Sequence, residues 1–292
     1  MVTPRKVYIF LAVGLLCLSQ SANIIRIGDA SPVAISFWRL LIATFLFVPL
    51  AGKGLATLTR LTRMDLAVLV LSGFALTTHF FSWIWAVQAT TVANATLFLC
   101  INPVITATAA YLLFGERAGR RLILAIALGM VGVGILGFND LEFSPGNLLG
   151  DGLALLSSLL FTVYFMAAKR LRKILDAQVY VTAVYGVAAV FSLVALLVMD
   201  LPFVDYSLRT WVCFGLMALV PTMIGHTSLN TALRYMTAGR ISAFILVEPL
   251  LAGLVASLAW GEAITSATLA GYVLICGSVL MVATERGKGV KG

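Results

Sequence analysis

The sequence predicts an all-α integral membrane protein with ten transmembrane helices, arranged as two inverted five-helix repeats around a central cavity. Three observations predict this fold: ten apolar segments, a one-sided distribution of Lys and Arg between them, and a match between the two halves of the chain. Hydrophobic residues make up 61% of the 292 residues and charged residues 11%, with a mean hydropathy of +1.04. Such a composition is too apolar for a soluble domain and indicates that a lipid bilayer surrounds the protein.

The apolar segments follow one another with short connections. Crossing a hydrocarbon core takes roughly 20 apolar residues per helix, so a chain of this length holds about ten spans and no separate soluble domain. The segments are residues 7–27, 32–51, 66–87, 92–114, 122–138, 148–168, 179–199, 211–232, 241–260 and 269–283. The first follows Arg5 and Lys6 as in a signal peptide, but it is longer than the usual apolar region of about 7 to 15 residues. We therefore expect an uncleaved first span.

The basic residues lie almost entirely on one side of these spans. All Lys and Arg except Arg26, Arg39 and Arg209 fall in the two tails or in one set of alternating loops. Basic residues near span ends are retained on the cytoplasmic side. We expect both termini in the cytoplasm and a location in the inner (cytoplasmic) membrane. The net charge of +8 then reflects orientation in the bilayer, and no nucleic-acid partner is expected.

The two halves of the chain match each other at a constant shift of 146 residues, which aligns residues 82–116 with residues 228–262. This shift advances the chain by five spans, an odd number, so the second copy must cross the membrane in the opposite direction. Inverted repeats place the substrate site near the middle of the membrane, as in alternating-access carriers. We divide the chain into a first repeat (residues 1–140), a second, inverted repeat (residues 146–284) and a cytoplasmic tail (residues 285–292).

Each copy of the match contains a proline, Pro103 or Pro249, and ends in a Gly-Glu pair, at residues 115–116 or 261–262. With ten spans in two five-helix halves, these motifs resemble the drug/metabolite transporter superfamily with paired EamA-type domains. The resemblance covers nearly the whole chain, and the sequence is most similar to the aromatic amino-acid exporter branch. Bacterial members are mostly exporters of amino acids and other metabolites, so the resemblance implies a monomeric exporter of this kind.

Placing an ionisable side chain inside a membrane costs free energy unless it is paired or hydrated, so each one is a functional candidate. Glu248 precedes Pro249 near the middle of its span; it either binds a substrate amine or a proton, or pairs with an Arg or the backbone. His79 and His226 either contact substrate, carry a proton or join helices. Arg39, seven residues after Pro32, either extends to the interface or pairs with an acid. We expect Arg39, His226, Pro103 and Pro249 to have structural or gating roles.

Polar and aromatic residues on the apolar segments complete the predicted substrate site. Spacing of three or four residues places several on one helical face, and Ser and Asn also join helices within membranes. Trp83 and Tyr164 offer flat rings against which an apolar substrate could stack. The predicted substrate-binding residues are His79, Glu248, Trp83, Ser82, Gln20, Asn102, Asn94, Phe98 and Tyr164.

The sequence favours a carrier that exports small amphipathic metabolites, most of all neutral and aromatic amino acids. A channel-like facilitator, or an exporter of amphipathic cations or drugs, stays open as an alternative. An enzyme is not expected, because neither Gly-x-Ser-x-Gly nor His-Glu-x-x-His occurs. We expect no cofactor, metal or ATP, since there is no Walker A motif and the four cysteines stand apart. Protons are a candidate coupling ion.

Overall fold

The computed structural model describes residues 4–90, 95, 98–137, 148–261 and 263–284, and all regular structure within them is helical. Eight helical stretches of these residues are long and apolar enough to cross a membrane. They are Lys6–Ile25, Pro32–Arg60, Arg63–Ala89, Leu148–Leu171, Ala177–Val198, Leu208–Ala232, Ala238–Ala259 and Ser266–Ala283. The all-helical membrane fold is confirmed over this part of the chain, while the number ten and the inverted relation of the repeats stay predictions.

The helices follow the predicted segments closely, with additional breaks inside four of them. In chain order they are α1 (Pro4–Ser19), α2 (Ser21–Ile25), α3 (Pro32–Ala51), a 3-10 segment (Gly52–Arg60), α4 (Arg63–Ala89), α5 (Asn102–Phe114), α6 (Arg120–Gly137), α7 (Leu148–Leu171), α8 (Ala177–Val198), α9 (Leu208–Met217), a π-helical segment (Ala218–His226), α10 (Thr227–Ala232), α11 (Ala238–Ile245), α12 (Glu248–Trp260) and α13 (Ser266–Ala283).

The chain divides into two compact units, and each unit contains helices from both halves of the sequence. Unit 1 comprises Met1–Phe81 and Val163–Arg234, and unit 2 comprises Ser82–Thr162 and Tyr235–Gly292. In unit 1, α3 packs along α8, and α1 packs on the π-helical segment and α10. In unit 2, α6 packs along α13 and α5 packs against α11.

Glycines allow α1 to approach the π-helical segment closely in unit 1. A Cβ atom added at Gly14 would lie 2.3 Å from the Cβ of Ser228, and one added at Gly225 would lie 3.1 Å from the backbone N and Cα of Leu18. Small residues at such crossings let helices within membranes pack backbone to backbone, where van der Waals contact replaces the missing hydrophobic driving force. The position of the π-helical segment is therefore fixed by direct helix contact.

The two proline-containing segments, predicted as continuous spans, are both interrupted just before the proline. Helix α11 ends at Ile245 and α12 begins at Glu248, while a turn at residues 100–101 precedes α5. Pro103 and Pro249 each lie in the first turn of the new helix, where a missing N–H costs nothing and the fixed φ suits helical geometry. The prolines therefore start new helices here, and the turn before Pro249 is a break in the predicted span.

The Gly-Glu pair ends a helix through the conformation of its glycine. Gly115 and Gly261 follow α5 and α12 with φ angles of +68° and +70°, in the left-handed region that favours glycine. After α5, the amide of Gly115 donates to the carbonyl of Tyr111 at 2.9 Å, and the amide of Glu116 donates to that of Ala110 at 3.2 Å. These bonds satisfy carbonyls at the helix end that have no partner within the helix.

Glu116 also caps a second helix of unit 2. Its carboxylate Oε2 accepts a hydrogen bond of 3.0 Å from the amide of Ala238, the first residue of α11. A carboxylate at this position satisfies a free amide and complements the positive end of the helix dipole. The glutamate of the motif therefore has a structural role in the first copy.

We expect Glu116→Ala to lower the free energy of unfolding by about 1 kcal/mol, because the α11 amide loses its acceptor. Thermal unfolding of the detergent-purified protein measures the effect. Arg117→Ala, at the exposed next position, is the control and should unfold at the wild-type temperature. Equal unfolding temperatures for wild type and Glu116→Ala would show that the cap does not stabilise the protein.

Candidate functional site

A π-helical segment, Ala218–His226, interrupts the helix between Leu208 and Ala232. π-Helical segments are rare in proteins, and those that occur are often located at functional sites. Pro221 lies within it and has no N–H to donate to the carbonyl of Met217, four residues earlier. The hydroxyl of Thr222 donates to that carbonyl instead, at 2.7 Å. The proline thus frees a carbonyl, and the following threonine satisfies it.

Arg39 on α3 lies against this segment and is almost completely buried, at 1% exposure. Its Nε donates to Thr222 Oγ1 at 2.8 Å, and its Cζ lies 3.8 Å from the centroid of the Phe80 ring. The hydroxyl of Tyr185 on α8 donates to the backbone carbonyl of Thr222 at 3.2 Å. Arg39 therefore occupies the interior of unit 1 and does not extend to the interface.

The two histidines and Tyr164, selected separately in the sequence, lie together in unit 1. The ring centroids of His79 and His226 are 6.4 Å apart, and those of Tyr164 and His226 are 6.0 Å apart. Phe80 lies between Arg39 and His226, with its ring centroid 5.2 Å from that of His226. All of these side chains are buried.

Asn230 on α10 connects this group to the helix backbone. Its amide Nδ2 donates to the carbonyl of His226 at 2.8 Å and to the hydroxyl of Tyr164. The carbonyl of Asn230 accepts from Arg172 Nε at 3.1 Å, which places a cation at the end of α10, where the helix dipole favours it. Tyr164 is thereby held at a fixed position.

We refer to these interior residues as the polar-aromatic cluster of unit 1. Its members are Arg39, His79, Phe80, Tyr164, Tyr185, Thr222, His226 and Asn230. Phe80 and Tyr185 do not stand out in the sequence, because aromatic residues in apolar segments usually only pack. Pro221 within a span, followed by a threonine, was the available signal for the π-helical segment.

Asn102 lies in unit 2 and is fully engaged in hydrogen bonds. Its Nδ2 donates to the carbonyl of Ser158 at 3.0 Å and to Thr162 Oγ1 at 3.1 Å, and its Oδ1 accepts from Thr106 Oγ1 at 3.2 Å. These bonds join α5 to α7, as polar residues commonly join helices within membranes. The predicted substrate contact of Asn102 would have to compete with them.

Glu248 is the first residue of α12 and is partly exposed. The structure records no hydrogen bond or ion pair of its carboxylate with any described residue. A negative charge at a helix N-terminus is favourable, so the helix itself provides some stabilisation. The pairing with an Arg that sequence reasoning left open is not observed among the described residues.

The other predicted residues occupy three different surroundings. Trp83 and Phe98 are partly buried and pack on a small apolar group of unit 2, with Ser82 buried next to Trp83 in the chain. Gln20 lies at the break between α1 and α2, where its side chain donates to Ser19 Oγ at 2.8 Å and accepts from Asn23 at 3.0 Å. Asn94 lies outside the described residues.

No three His, Cys, Asp or Glu side chains of the described residues are close enough together to hold a metal ion. The cluster of unit 1 offers hydrogen-bonding groups, one cation and several ring faces. Apolar walls with a few placed polar groups are the usual lining of sites that bind organic molecules, because the polar groups fix a ligand's orientation. The fold, with eight stretches of the described residues long and apolar enough to cross a membrane, is that of a multi-pass helical membrane protein.

The chain belongs to the EamA-like transporter family, which matches it twice, over residues 5–138 and 148–284. It is similar to an "uncharacterized transporter" of Clostridium kluyveri, at 26% identity over 89% of this chain and 86% of the relative. A second "uncharacterized transporter", from Archaeoglobus fulgidus, is 30% identical over 70% of this chain and 72% of the relative. The predicted superfamily is confirmed, and the relatives are described as transporters and not as enzymes.

A solved crystal structure has the same fold. It superposes with a TM-score of 0.83 at 18% sequence identity and covers 98% of this chain and 100% of the other. The likeness extends over the whole chain but shows the fold alone. The aromatic amino-acid exporter branch, which the sequence resembles, stays a prediction.

Proposed function

We propose that the protein exports small amphipathic metabolites, most of all neutral and aromatic amino acids, by alternating access. The observation that carries the proposal is the polar-aromatic cluster of unit 1. It combines ring faces and edges from Phe80, Tyr164 and the two histidines with a buried guanidinium. An amino acid with an aromatic side chain presents the complementary groups: a flat apolar ring and a charged end.

The energetics favour a substrate of this kind over a purely apolar one. Burying Arg39, Thr222 and Asn230 is costly in a membrane, and purely apolar cargo would gain nothing from them. Edge-to-face ring contacts contribute about 0.5–1.5 kcal/mol each beyond area burial, so several rings can select a flat side chain. The cluster therefore matches molecules that are polar at one end and aromatic or aliphatic at the other.

Transport requires the cluster to open, because its members are buried in this conformation. Ten spans, two inverted repeats and cytoplasmic termini would supply two equivalent ways of opening, one to each side of the membrane. The helix breaks before Pro103 and Pro249 are positions where such a movement could be accommodated, since backbone torsions change most easily at helix ends. We assign these prolines to gating on that basis.

Reconstitution into liposomes tests the proposal. Purified protein should accelerate the uptake of labelled phenylalanine, tyrosine or leucine, and preloading with unlabelled substrate should accelerate it further. A channel-like facilitator would show uptake without this trans effect. Preferential transport of amphipathic cations would favour a drug exporter, and proton coupling would appear as a dependence on an imposed pH gradient.

Glu248→Gln should reduce transport of amino acids about 10-fold or more, because a carboxylate that binds the substrate amine or a proton loses its charge, and hydrogen bonds to charged groups contribute about 1.5–3 kcal/mol. Initial rates at equal amounts of reconstituted protein measure this. Glu116→Gln is the matched control, since that glutamate caps a helix of the same unit. Normal transport by Glu248→Gln would exclude a role for Glu248 in binding substrate or a proton.

A further inference from the structure

Arg39 carries a buried positive charge for which the structure records no counter-charge. No carboxylate of the described residues lies within 4 Å of its guanidinium, and its single hydrogen bond goes to the neutral Thr222. Buried cations are normally paired, because removing an ion from water without compensation costs several kcal/mol or more. Among the described residues, Arg39 therefore lacks the anionic partner that its burial calls for.

The acidic residues of unit 1 are all separated along the chain from the residues of the cluster. Each lies in a loop or at the end of a helix, and two of them pair with Arg170 and Arg234. These residues are Asp29, Asp65, Asp176, Asp200 and Asp205. The groups recorded around Arg39 among the described residues are Thr222, Phe80, Tyr185, Cys213 and His226, and none of them is a carboxylate. Unit 1 therefore buries the Arg39 guanidinium, and its described residues provide no anion next to it.

We propose that Arg39 binds the carboxylate of the transported molecule. This inference rests on the proposed function and narrows it to carboxylates, that is, to amino acids and related acids and not to amphipathic amines. The substrate then supplies the missing counter-charge, and its binding compensates for the burial of the guanidinium.

The geometry around Arg39 suits this role. A guanidinium has five N–H donors in a planar fork that matches a carboxylate in a two-point contact. Only Nε is used, by Thr222, which leaves the terminal amino groups without an acceptor among the described residues. Contact with the Phe80 ring 3.8 Å away fixes the plane of the fork.

A doubly charged phosphate is a poorer match, because it needs more than one cation. The other buried basic residues of unit 1, Lys169 and Arg172, lie in or just beyond the last turn of α7. Arg172 already donates to the carbonyls of Asn230 and Leu175. One unpaired guanidinium neutralises one negative charge, which is the charge of a carboxylate.

Four compounds that share a phenyl ring test the inference on wild-type protein. We expect L-phenylalanine and 3-phenylpropanoate to bind and 2-phenylethylamine, which lacks the carboxylate, to bind at least about 10-fold more weakly. Phenyl phosphate should bind more weakly than 3-phenylpropanoate. Binding is measured by the rise in unfolding temperature with ligand concentration, and transport by competition with labelled phenylalanine.

Variants of Arg39 give the second half of the test. Arg39→Gln should weaken binding of 3-phenylpropanoate about 10- to 100-fold. Arg39→Lys keeps the charge but loses the planar fork of donors, so its affinity for 3-phenylpropanoate should lie between those of Arg39→Gln and wild type. Binding of 2-phenylethylamine should not weaken in either variant, because the amine gains nothing from a cation at this position. Arg26→Gln, at an exposed position, is the control.

Equal binding of the amine and the acid by wild type, or unchanged acid binding by folded Arg39→Gln, would overturn the inference. If Arg39→Gln does not fold, the comparison of the compounds on wild type and on Arg39→Lys still decides. Carboxylate binding that depends on Arg39 without transport of any compound would support the inference and contradict the proposed export function, so the two can fail separately.

Discussion

Gly132→Val is expected to destabilise the protein by about 3 kcal/mol or more, because α6 and α13 touch backbone to backbone at this position. A Cβ added at Gly132 would lie 2.9 Å from the carbonyl oxygen of Gly271 and 3.1 Å from the amide of Ile275. Backbone atoms of a packed helix cannot move aside as a flexible side chain can, and overpacking of this kind costs about 1–3 kcal/mol or more. The two helices would have to separate along their length.

The same helix offers a matched control for this prediction. A Cβ added at Gly134, two residues further on, would meet nothing within 4 Å, so Gly134→Val should unfold close to the wild-type temperature. Thermal unfolding and the yield of monodisperse protein after size-exclusion chromatography measure both variants. Equal losses in the two variants would point to a general effect of valine on α6 and not to the crossing with α13.

Much of the helix pattern is present in local composition. The predicted segment 32–51 coincides with α3, and residues 148–168 fall within α7, because the length of an apolar run and its polar flanks can be read without knowing what packs against it. The helix breaks are harder to predict from composition, since Pro249 lies in the first turn of a new helix that begins at Glu248, whereas Pro221 lies inside the π-helical segment. The outcome depends on which neighbours satisfy the freed carbonyl.

In the candidate site, the sequence identifies individual residues, but their proximity is visible only in the fold. His79, Tyr164 and His226 stood out individually as polar or aromatic residues in apolar segments, but their proximity arises from packing between residues far apart in the chain. For Arg39, the sequence offered exposure at the interface or an acidic partner, and the structure shows neither among the described residues. The absence of an acid is a property of the packed unit, so only the structure reveals it.

Tyr164 provides the other large effect we expect, which concerns selectivity and not only rate. Its buried ring packs against His226 at 6.0 Å between centroids, and its hydroxyl accepts from Asn230. Tyr164→Phe keeps the ring and loses one hydrogen bond, which within membranes contributes about 0.6 kcal/mol on average. We expect this variant to retain most of the transport activity.

Tyr164→Leu removes the ring while keeping an apolar side chain, so it should lower the preference for phenylalanine over leucine about 10-fold, as expected from the loss of one or two ring contacts of about 0.5–1.5 kcal/mol each. Competition between the two labelled amino acids in the same liposomes measures this ratio independently of the amount of folded protein. A residue that only supports the fold would lower both rates equally. An unchanged ratio at a reduced rate would therefore place Tyr164 in the framework of unit 1 and away from the substrate.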